Sequence, residues 1–205
     1  MPSTFRLFFA ASLLAGTAAV PGPAPAADSP ASQGAAVDAA VVTAMLRQLD
    51  APLLFVKRHS YTGIHIYDTF YKWPPGGGGI YILENPSAPR HQWRIRPVID
   101  PTTPETLGEG VYTHPELSWD AKKLLFCFKG EPQGSTSIYE IGIDGKGLRR
   151  LTDPTPTCGC YKGSHGGQHD IAPAYLPDGR IVFLSTRPSG LVPCNNTGVA
   201  ILHVM

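Results

Sequence analysis

The stretch Leu117-Ser-Trp-Asp-Ala-Lys-Lys-Leu-Leu-Phe126 returns later in the chain as Tyr175-Leu-Pro-Asp-Gly-Arg-Ile-Val-Phe183, and this repeat decides the fold. Each copy is a polar turn built on an aspartate, followed by a short apolar run typical of a buried strand. The two aspartates lie roughly 60 residues apart, and internal repeats of this size are typical of β-propellers. The sequence therefore predicts an all-β protein, a partial propeller of about two to three blades.

Further apolar runs extend the repeat in both directions. The segment after the first copy reads as a strand, an Asp144-Gly145 hairpin turn and a second strand. We predict one equivalent strand in three successive units at residues 53–55, 124–126 and 181–183, with its neighbour at 80–82, 138–141 and 200–204. The spacing exceeds the roughly 40 to 50 residues of an ordinary blade. Residues 84–113 and 153–169 are therefore predicted to be long connecting insertions.

The composition fits a folded protein with many turns. Of 205 residues, 42% are apolar, and the formal net charge is +1. The 22 glycines and 21 prolines favour short strands over long helices. Basic residues are scattered among acids, and the densest pair is Arg149-Arg150, so a surface that follows nucleic-acid phosphates is not predicted.

The N-terminal segment has the pattern of a signal peptide over residues 1–26. Arg6 gives the positive start, residues 7–20 form an uncharged apolar run, and Ala24-Pro-Ala26 offers small residues for cleavage. The run is too short for a stable membrane anchor. We expect an exported protein, periplasmic or extracellular, with no membrane anchor.

Two short segments separate the signal peptide from the repeats. Residues 27–36 form a Pro/Ala-rich linker. Residues 37–50 predict a short helix whose apolar stripe packs on the body of the protein. The stripe consists of Val41, Val42, Met45, Leu46 and Leu49. The incomplete propeller is assigned to residues 51–205.

Several runs resemble a known family. These are Leu53-Leu-Phe-Val-Lys-Arg58, Gly78-Gly-Ile-Tyr-Ile-Leu-Glu-Asn-Pro86, Leu124-Leu-Phe-Cys-Phe-Lys129, Ser137-Ile-Tyr-Glu-Ile-Gly142, the stretch from His169 to Phe183, and Ser185-Thr-Arg187. They are similar to the N-terminal part of proteins related to the hydrazine synthase alpha subunit and, more distantly, to the propeller of TolB. The resemblance implies a large secreted protein with several hundred further residues after Met205.

The resemblance does not carry a haem site over to this chain. Covalent haem attachment requires the pattern Cys-x-x-Cys-His. This chain has Cys158-Gly-Cys160-Tyr161, which lacks one spacer residue and the histidine. Neither haem nor hydrazine synthesis is therefore expected.

One Gly-rich insertion concentrates possible metal ligands. It holds Cys158, Cys160, His165, His169 and Asp170, and His114 is taken to occupy the corresponding place in the preceding unit. Thiolates and imidazoles are ligands for zinc or copper, although this spacing matches no standard finger.

The alternative to a metal site is structural. In an oxidising compartment the cysteines form disulfides, in which Cys194 pairs with Cys158 or Cys160. Cys127 lies in an apolar strand and is predicted to be a buried hydrophobic residue.

His169-Asp170 directly precedes the second copy of the repeat, near the channel end of a blade. An imidazole beside a carboxylate could orient a ligand or act as a base. Alternatively, the aspartate fixes the loop between blades by accepting hydrogen bonds. The chain contains no nucleophile elbow, phosphate loop or dinucleotide fingerprint.

The predicted function is an exported binding or scaffolding module. Strand edges at residues 53–56 and 199–205 would remain unpaired unless a protein or peptide partner completes the propeller. The alternatives are a metal or redox enzyme that uses the loop from Cys158 to Asp170, and a truncated, non-functional fragment of a larger protein.

Overall fold

The computed structural model describes residues 39–58, 78–131, 134–154, 168–188, 190 and 199–205. In these ranges one helix, α1 (Ala39–Leu46), precedes ten strands and a single 3₁₀ turn, Arg90–Gln92. The strands are β1 (Leu53–Val56), β2 (Ile80–Leu83), β3 (Ile95–Ile99), β4 (Val111–Leu117), β5 (Lys123–Lys129), β6 (Ser137–Gly142), β7 (Arg149–Arg150), β8 (Asp170–Tyr175), β9 (Ile181–Ser185) and β10 (Ile201–Val204). The predicted signal peptide, 1–26, and linker, 27–36, lie outside the described residues.

The strands form three small antiparallel sheets in chain order. The first sheet has the order β1-β2-β3, the second β4-β5-β6-β7 and the third β8-β9-β10. Each sheet is a meander of consecutive strands, and each packs face to face on the next, which is the blade arrangement of a β-propeller. The predicted all-β, partial propeller fold is confirmed. We refer to the sheets as the first, second and third blades.

The predicted equivalence of strands holds across the three blades. The runs at 53–55, 124–126 and 181–183 lie in β1, β5 and β9. Each of these strands pairs with the one that follows it, β2, β6 or β10. Among the described residues, β1 and β10 each pair along one edge only.

The three aspartate turns are hairpins, and each contains the same type of side-chain hydrogen bond. In each turn the aspartate Oδ1 accepts from the backbone N–H two residues later: Asp120 from Lys122 at 3.2 Å, Asp144 from Lys146 at 3.1 Å and Asp178 from Arg180 at 3.1 Å. The residue after the aspartate has a positive φ, 83° at Gly145 and 87° at Gly179. Ala121 takes this position at φ 55°, where glycine would be less strained.

The second blade is buried on both faces, which explains its continuous apolar strand β5. Leu124, Phe126 and Phe128 belong to the core shared with the first blade, whereas Leu125 and Cys127 belong to the core shared with the third. The first core also contains Leu54, Ile80, Ile82, Val98, Ile99, Tyr112 and Ile141, and the second Ile138, Ile171, Ile181 and Phe183. Alternating side chains of a single strand therefore hold two interfaces.

The predicted insertion at residues 84–113 is partly wrong. It contains β3 and the beginning of β4. Pro97 interrupts β3, and prolines at equivalent bulges interrupt β4 at Pro115 and β8 at Pro173. In the described structure each of these three strands lies at the edge of its sheet and pairs with one partner strand. Sheet edges and bulges are the places where proline is tolerated.

The helix lies within the predicted segment 37–50 but is not packed as predicted. Val41 is 51% exposed and Met45 is 64% exposed, and none of the helix side chains that the structure describes is buried. The prediction that the stripe packs on the body is therefore wrong for these two residues. No helix among the described residues is long and apolar enough to cross a membrane.

Candidate binding site between the second and third blades

The core between the second and third blades becomes polar at one end. The end of β5 lies there, together with the beginnings of β6 and β8 and the residues that follow β9. Antiparallel pairing places the end of one strand beside the beginning of the next. We call this region the polar end and define it by Lys129, Thr136, His169, Asp170, Thr186 and Arg187. All of these except Arg187 are buried.

A reciprocal pair of contacts joins the two blades at Thr136 and His169. The Thr136 N–H donates to His169 Nδ1 at 3.2 Å, and the Thr136 carbonyl accepts from the N–H of Asp170 at 2.9 Å. Thr136 Oγ1 lies 3.0 Å from the same imidazole nitrogen. Because Nδ1 accepts the backbone hydrogen bond, the neutral imidazole carries its proton on Nε2.

The third blade fixes the same histidine from its other side. The His169 N–H donates to Thr186 Oγ1 at 2.8 Å, and the Thr186 N–H donates to the His169 carbonyl at 2.9 Å. His169 is 3% exposed and Thr186 is also 3% exposed. Thr136 of the second blade thus contacts the ring, whereas Thr186 of the third blade fixes the backbone of the same residue.

Asp170 is a fully buried carboxylate with one cationic partner. Its Oδ2 lies 2.5 Å from Arg187 Nη2, and Asp170 is 0% exposed. Oδ1 is buried without a hydrogen-bond partner in the described structure. A buried charge is tolerated when it is paired, and Arg187 supplies the opposite charge for Asp170.

Cys127 lies beside this ion pair. Burial above all raises the pKa of its thiol to about 12; hydrogen bonds with the Ala172 backbone and the Thr113 side chain work against this, and the Asp170 carboxylate contributes to it. The side chain is 0% exposed and forms no disulfide. The prediction that Cys127 is a buried hydrophobic residue is confirmed.

Lys129 brings a second buried basic group to the polar end. The β5–β6 register, with Phe128 opposite Ser137, puts Lys129 beside Thr136. Lys129 is 1% exposed, and burial lowers its pKa to about 8. Lys129 was not among the residues predicted from the sequence, although a lysine that ends the apolar run Leu124 to Phe128 is a visible signal.

His114 is not the counterpart of His169, and this expectation is wrong. Strands β4 and β8 have a bulge at the same place, at which His114 has φ 50° and Ala172 has φ 51°. His114 therefore corresponds to Ala172, and Val111 corresponds to His169. Burial, and then the positive charge of Arg58, lowers the pKa of His114 to about 4.

His114→Asn is expected to reduce the loss of stability in mild acid. The unfolded chain takes up a proton near pH 6.5 but the folded chain only near pH 4, so His114 makes stability fall as the pH drops between these values. The loss amounts to at most about 3 kcal/mol. Asparagine has no titrating group and tolerates a positive φ. Urea unfolding of both proteins at several pH values between about 7 and 4 measures the difference.

The prediction is decided by how steeply the free energy of unfolding falls with decreasing pH in the two proteins. Glu116, whose pKa is raised by burial, titrates in both proteins and so cancels in the comparison. If the free energy of unfolding falls equally with pH in the wild type and in His114→Asn, His114 does not titrate as the structure indicates.

The described structure contains only part of the predicted metal-ligand group. Cys158, Cys160, His165 and Cys194 lie outside the described residues. His169 and Asp170 are present, and no group of three metal-ligating side chains is found in the described part of the chain. The zinc or copper site and the disulfide pairing stay predictions.

The chain was compared with known proteins. No family model matches it. Hydrazine synthase subunit alpha from Kuenenia stuttgartiensis is 45% identical over 40 residues, which is 20% of this chain and 5% of that protein. The predicted resemblance is confirmed over this stretch. The chain thus matches about one-twentieth of the length of this relative.

Two solved structures are similar to the chain at low sequence identity. Kuenenia stuttgartiensis hydrazine synthase has 17% identity and a TM-score of 0.41, with 70% of this chain and 19% of that chain covered. TolB from Acinetobacter baumannii has 15% identity and a TM-score of 0.29, with 66% and 37% covered. The chain spans well under half of either structure.

The geometry of the polar end is suited to holding two blades together. Asp170 contacts Arg187, and His169 Nδ1 contacts Thr136. The carboxylate does not orient the imidazole through Nδ1, as a general-base pair would require. Of the two readings of His169-Asp170 in the sequence, the contacts favour the structural one, in which the pair fixes the junction between blades.

Proposed function

We propose that this chain belongs to an exported β-propeller that acts as a binding or scaffolding module, and that a partner polypeptide covers its third blade. One observation carries the proposal. The face that each blade turns toward the next, here called the forward face, is covered on the first and second blades. On the third blade the equivalent face leaves large apolar side chains in solvent.

The forward face of the third blade is formed by β9 and β10. The register places Val182 opposite Val204, and Leu184 opposite Leu202, so these four side chains share one face. Leu202 is 70% exposed and Val204 is 51% exposed. Adjacent exposed aliphatic side chains on a sheet face are characteristic of an interaction surface.

The chemistry of the partner follows from the interfaces that the protein already has. At the junction of the second and third blades, the forward face of one sheet receives Ile181 and Phe183 of the next. The partner is therefore proposed to be another antiparallel sheet, with an aliphatic and an aromatic side chain at the positions equivalent to Ile181 and Phe183. Continuity with an interface that occurs twice in the chain supports this choice.

Export and the lack of haem complete the proposal. Export is supported by the signal-peptide pattern of residues 1–26. The pattern Cys158-Gly-Cys160-Tyr161 supports a module without covalent haem. Hydrazine synthesis is in the name of the relative, and the departure from the haem motif argues against extending it to this chain.

Site-specific crosslinking tests the proposed partner. A photoreactive residue at position 202 in the exported protein is expected to form a crosslink to a sheet segment with apolar side chains, identified by mass spectrometry. The same residue at Ile95, which is 55% exposed on the first blade, is the matched control. Leu202→Asp is expected to convert the assembly to a monomer.

Two outcomes would overturn the proposal. A wild-type protein that is monomeric in the exported fraction and crosslinks equally from both positions would have no partner on this face. Zinc or copper retained at one ion per chain after dialysis, together with a monomer, would instead support the metal or redox enzyme that the Cys158 to Asp170 loop predicts.

A further inference from the structure

A groove on the second blade lies at the end opposite to the polar end. It opens between the beginning of β5, the end of β6 and the turn before β7, with a volume of about 400 Å³. Its charged lining residues are Lys122, Lys123, Glu140, Lys146 and Arg149. Four of these residues are basic and one is acidic, whereas the whole chain has a net charge of only +1. The groove is therefore a local concentration of positive charge.

The single carboxylate of the groove is already satisfied. Glu140 Oε2 accepts from Arg149 Nε at 2.7 Å and Nη2 at 2.5 Å, and Oε1 accepts from the Tyr175 hydroxyl at 2.9 Å. Burial alone would raise the pKa of Glu140, but these hydrogen bonds and the charges of Arg149 and Lys123 lower it. Glu140 and Arg149 thus neutralise each other within the protein.

The remaining cations point to a negatively charged ligand. Lys123 Nζ lies 3.7 Å from Glu140 Oε2, which Arg149 already occupies. Lys122 Nζ lies 3.8 Å from Asp120 at the exposed rim, a weak pairing. Lys146 forms no ion pair within the described part of the chain. Glu140, Asp120 and the nearby Asp144 balance the charge of these lysines and Arg149 only in part, so the opening keeps an excess of positive charge.

An exposed tryptophan adjoins the groove. Trp119 is 77% exposed, and its Nε1 donates to the Tyr175 carbonyl at 3.3 Å, so the indole is held at the junction of two blades. The hydroxyl of the same tyrosine donates to Glu140 at the floor of the groove. Tryptophan is enriched among the residues that contribute most to binding between protein chains.

We propose that this groove binds an acidic peptide segment, whose carboxylates contact Lys122, Lys123 and Lys146 and whose neighbouring apolar side chain packs on Trp119. The small volume suits one or two carboxylate side chains. A nucleic acid is a poorer fit because an opening of about 400 Å³ is too small to follow a phosphate backbone. The site is separate from the forward face of the third blade.

Fluorescence anisotropy with a labelled peptide of glutamates and one phenylalanine tests the groove. Lys122→Gln/Lys146→Gln is expected to weaken binding to the full chain about tenfold at low salt. Trp119→Ala is expected to weaken binding of this peptide but not of a peptide that lacks the phenylalanine. Lys57→Gln/Arg90→Gln removes the same charge from exposed sites elsewhere and is expected to leave binding unchanged.

Thermal unfolding checks that the exposed substitutions leave the protein folded. Equal losses for the two double variants would overturn the proposal, since binding would then follow net charge alone. Equal affinity for a single-stranded oligonucleotide and the peptide would also overturn it, because the groove would then recognise charge without selecting carboxylates. The crosslinking result at Leu202 has no bearing on either outcome.

Discussion

Arg187→Met is expected to lower the free energy of unfolding by about 3–5 kcal/mol. Methionine retains much of the aliphatic volume of the arginine but removes the cation. Asp170 is 0% exposed, and Arg187 Nη2 is the charged group that lies against its Oδ2. The carboxylate would remain buried without its cationic partner, so it must be protonated or must reach water by opening the junction between the blades. Urea unfolding at neutral pH measures the loss.

The double variant Asp170→Asn/Arg187→Met distinguishes an uncompensated charge from lost packing. Asparagine is nearly isosteric with aspartate and carries no charge, so the double variant is expected to recover most of the stability lost by Arg187→Met. If the double variant is as unstable as the single one, the arginine acts through packing and the ion pair contributes little. A wild-type stability for Arg187→Met would show that Asp170 does not need the cation.

Phe126→Ala is expected to destabilise the protein by about 3–5 kcal/mol, because it opens a cavity where the first two blades meet. Phe126 is 0% exposed. Its ring stacks on Tyr112 at a centroid distance of 6.0 Å and on Tyr139 at 5.6 Å. Loss of the ring removes contacts to two other strands of the blade as well as to the first blade. Denaturant unfolding followed by tyrosine and tryptophan fluorescence measures the effect.

Ile95→Ala is the matched control for the cavity. Ile95 is also an apolar strand residue, but it is 55% exposed, so its truncation is expected to change stability by less than about 0.5 kcal/mol. Equal effects of the two substitutions would contradict the packing that places Phe126 in the shared core.

The repeat could be predicted because the same local chemistry recurs. An aspartate turn followed by a short apolar run specifies a hairpin, and two such copies together with the apolar run at residues 53–55 indicate successive blades. The strands that the sequence did not reveal, β3, β4 and β8, each contain a proline, which argues against a strand. In the structure these prolines lie in edge strands, at or beside irregular pairing, and such positions tolerate proline.

The candidate site was only half visible in the sequence. His169-Asp170 could be found because the two polar residues stand beside a repeat strand. Thr136 and Arg187 could not, because they are 33 residues before His169 and 17 residues after Asp170. The packing of two blades brings Thr136 to His169, and the β8–β9 pairing within the third blade brings Arg187 to Asp170. Sequence shows which residues have useful chemistry, whereas the tertiary pairing decides which of them share a hydrogen bond.

The two-sided burial of β5 makes the chain intolerant of a shift in register. Deletion of one residue near the beginning of this strand would turn Phe126 toward the third blade and Cys127 toward the first, since side chains alternate. A cavity sized for a thiol would then receive an aromatic ring, while the space between Tyr112 and Tyr139 would be left largely empty. Length changes in this protein are therefore expected to be confined to its loops, and β5 to vary only by substitution.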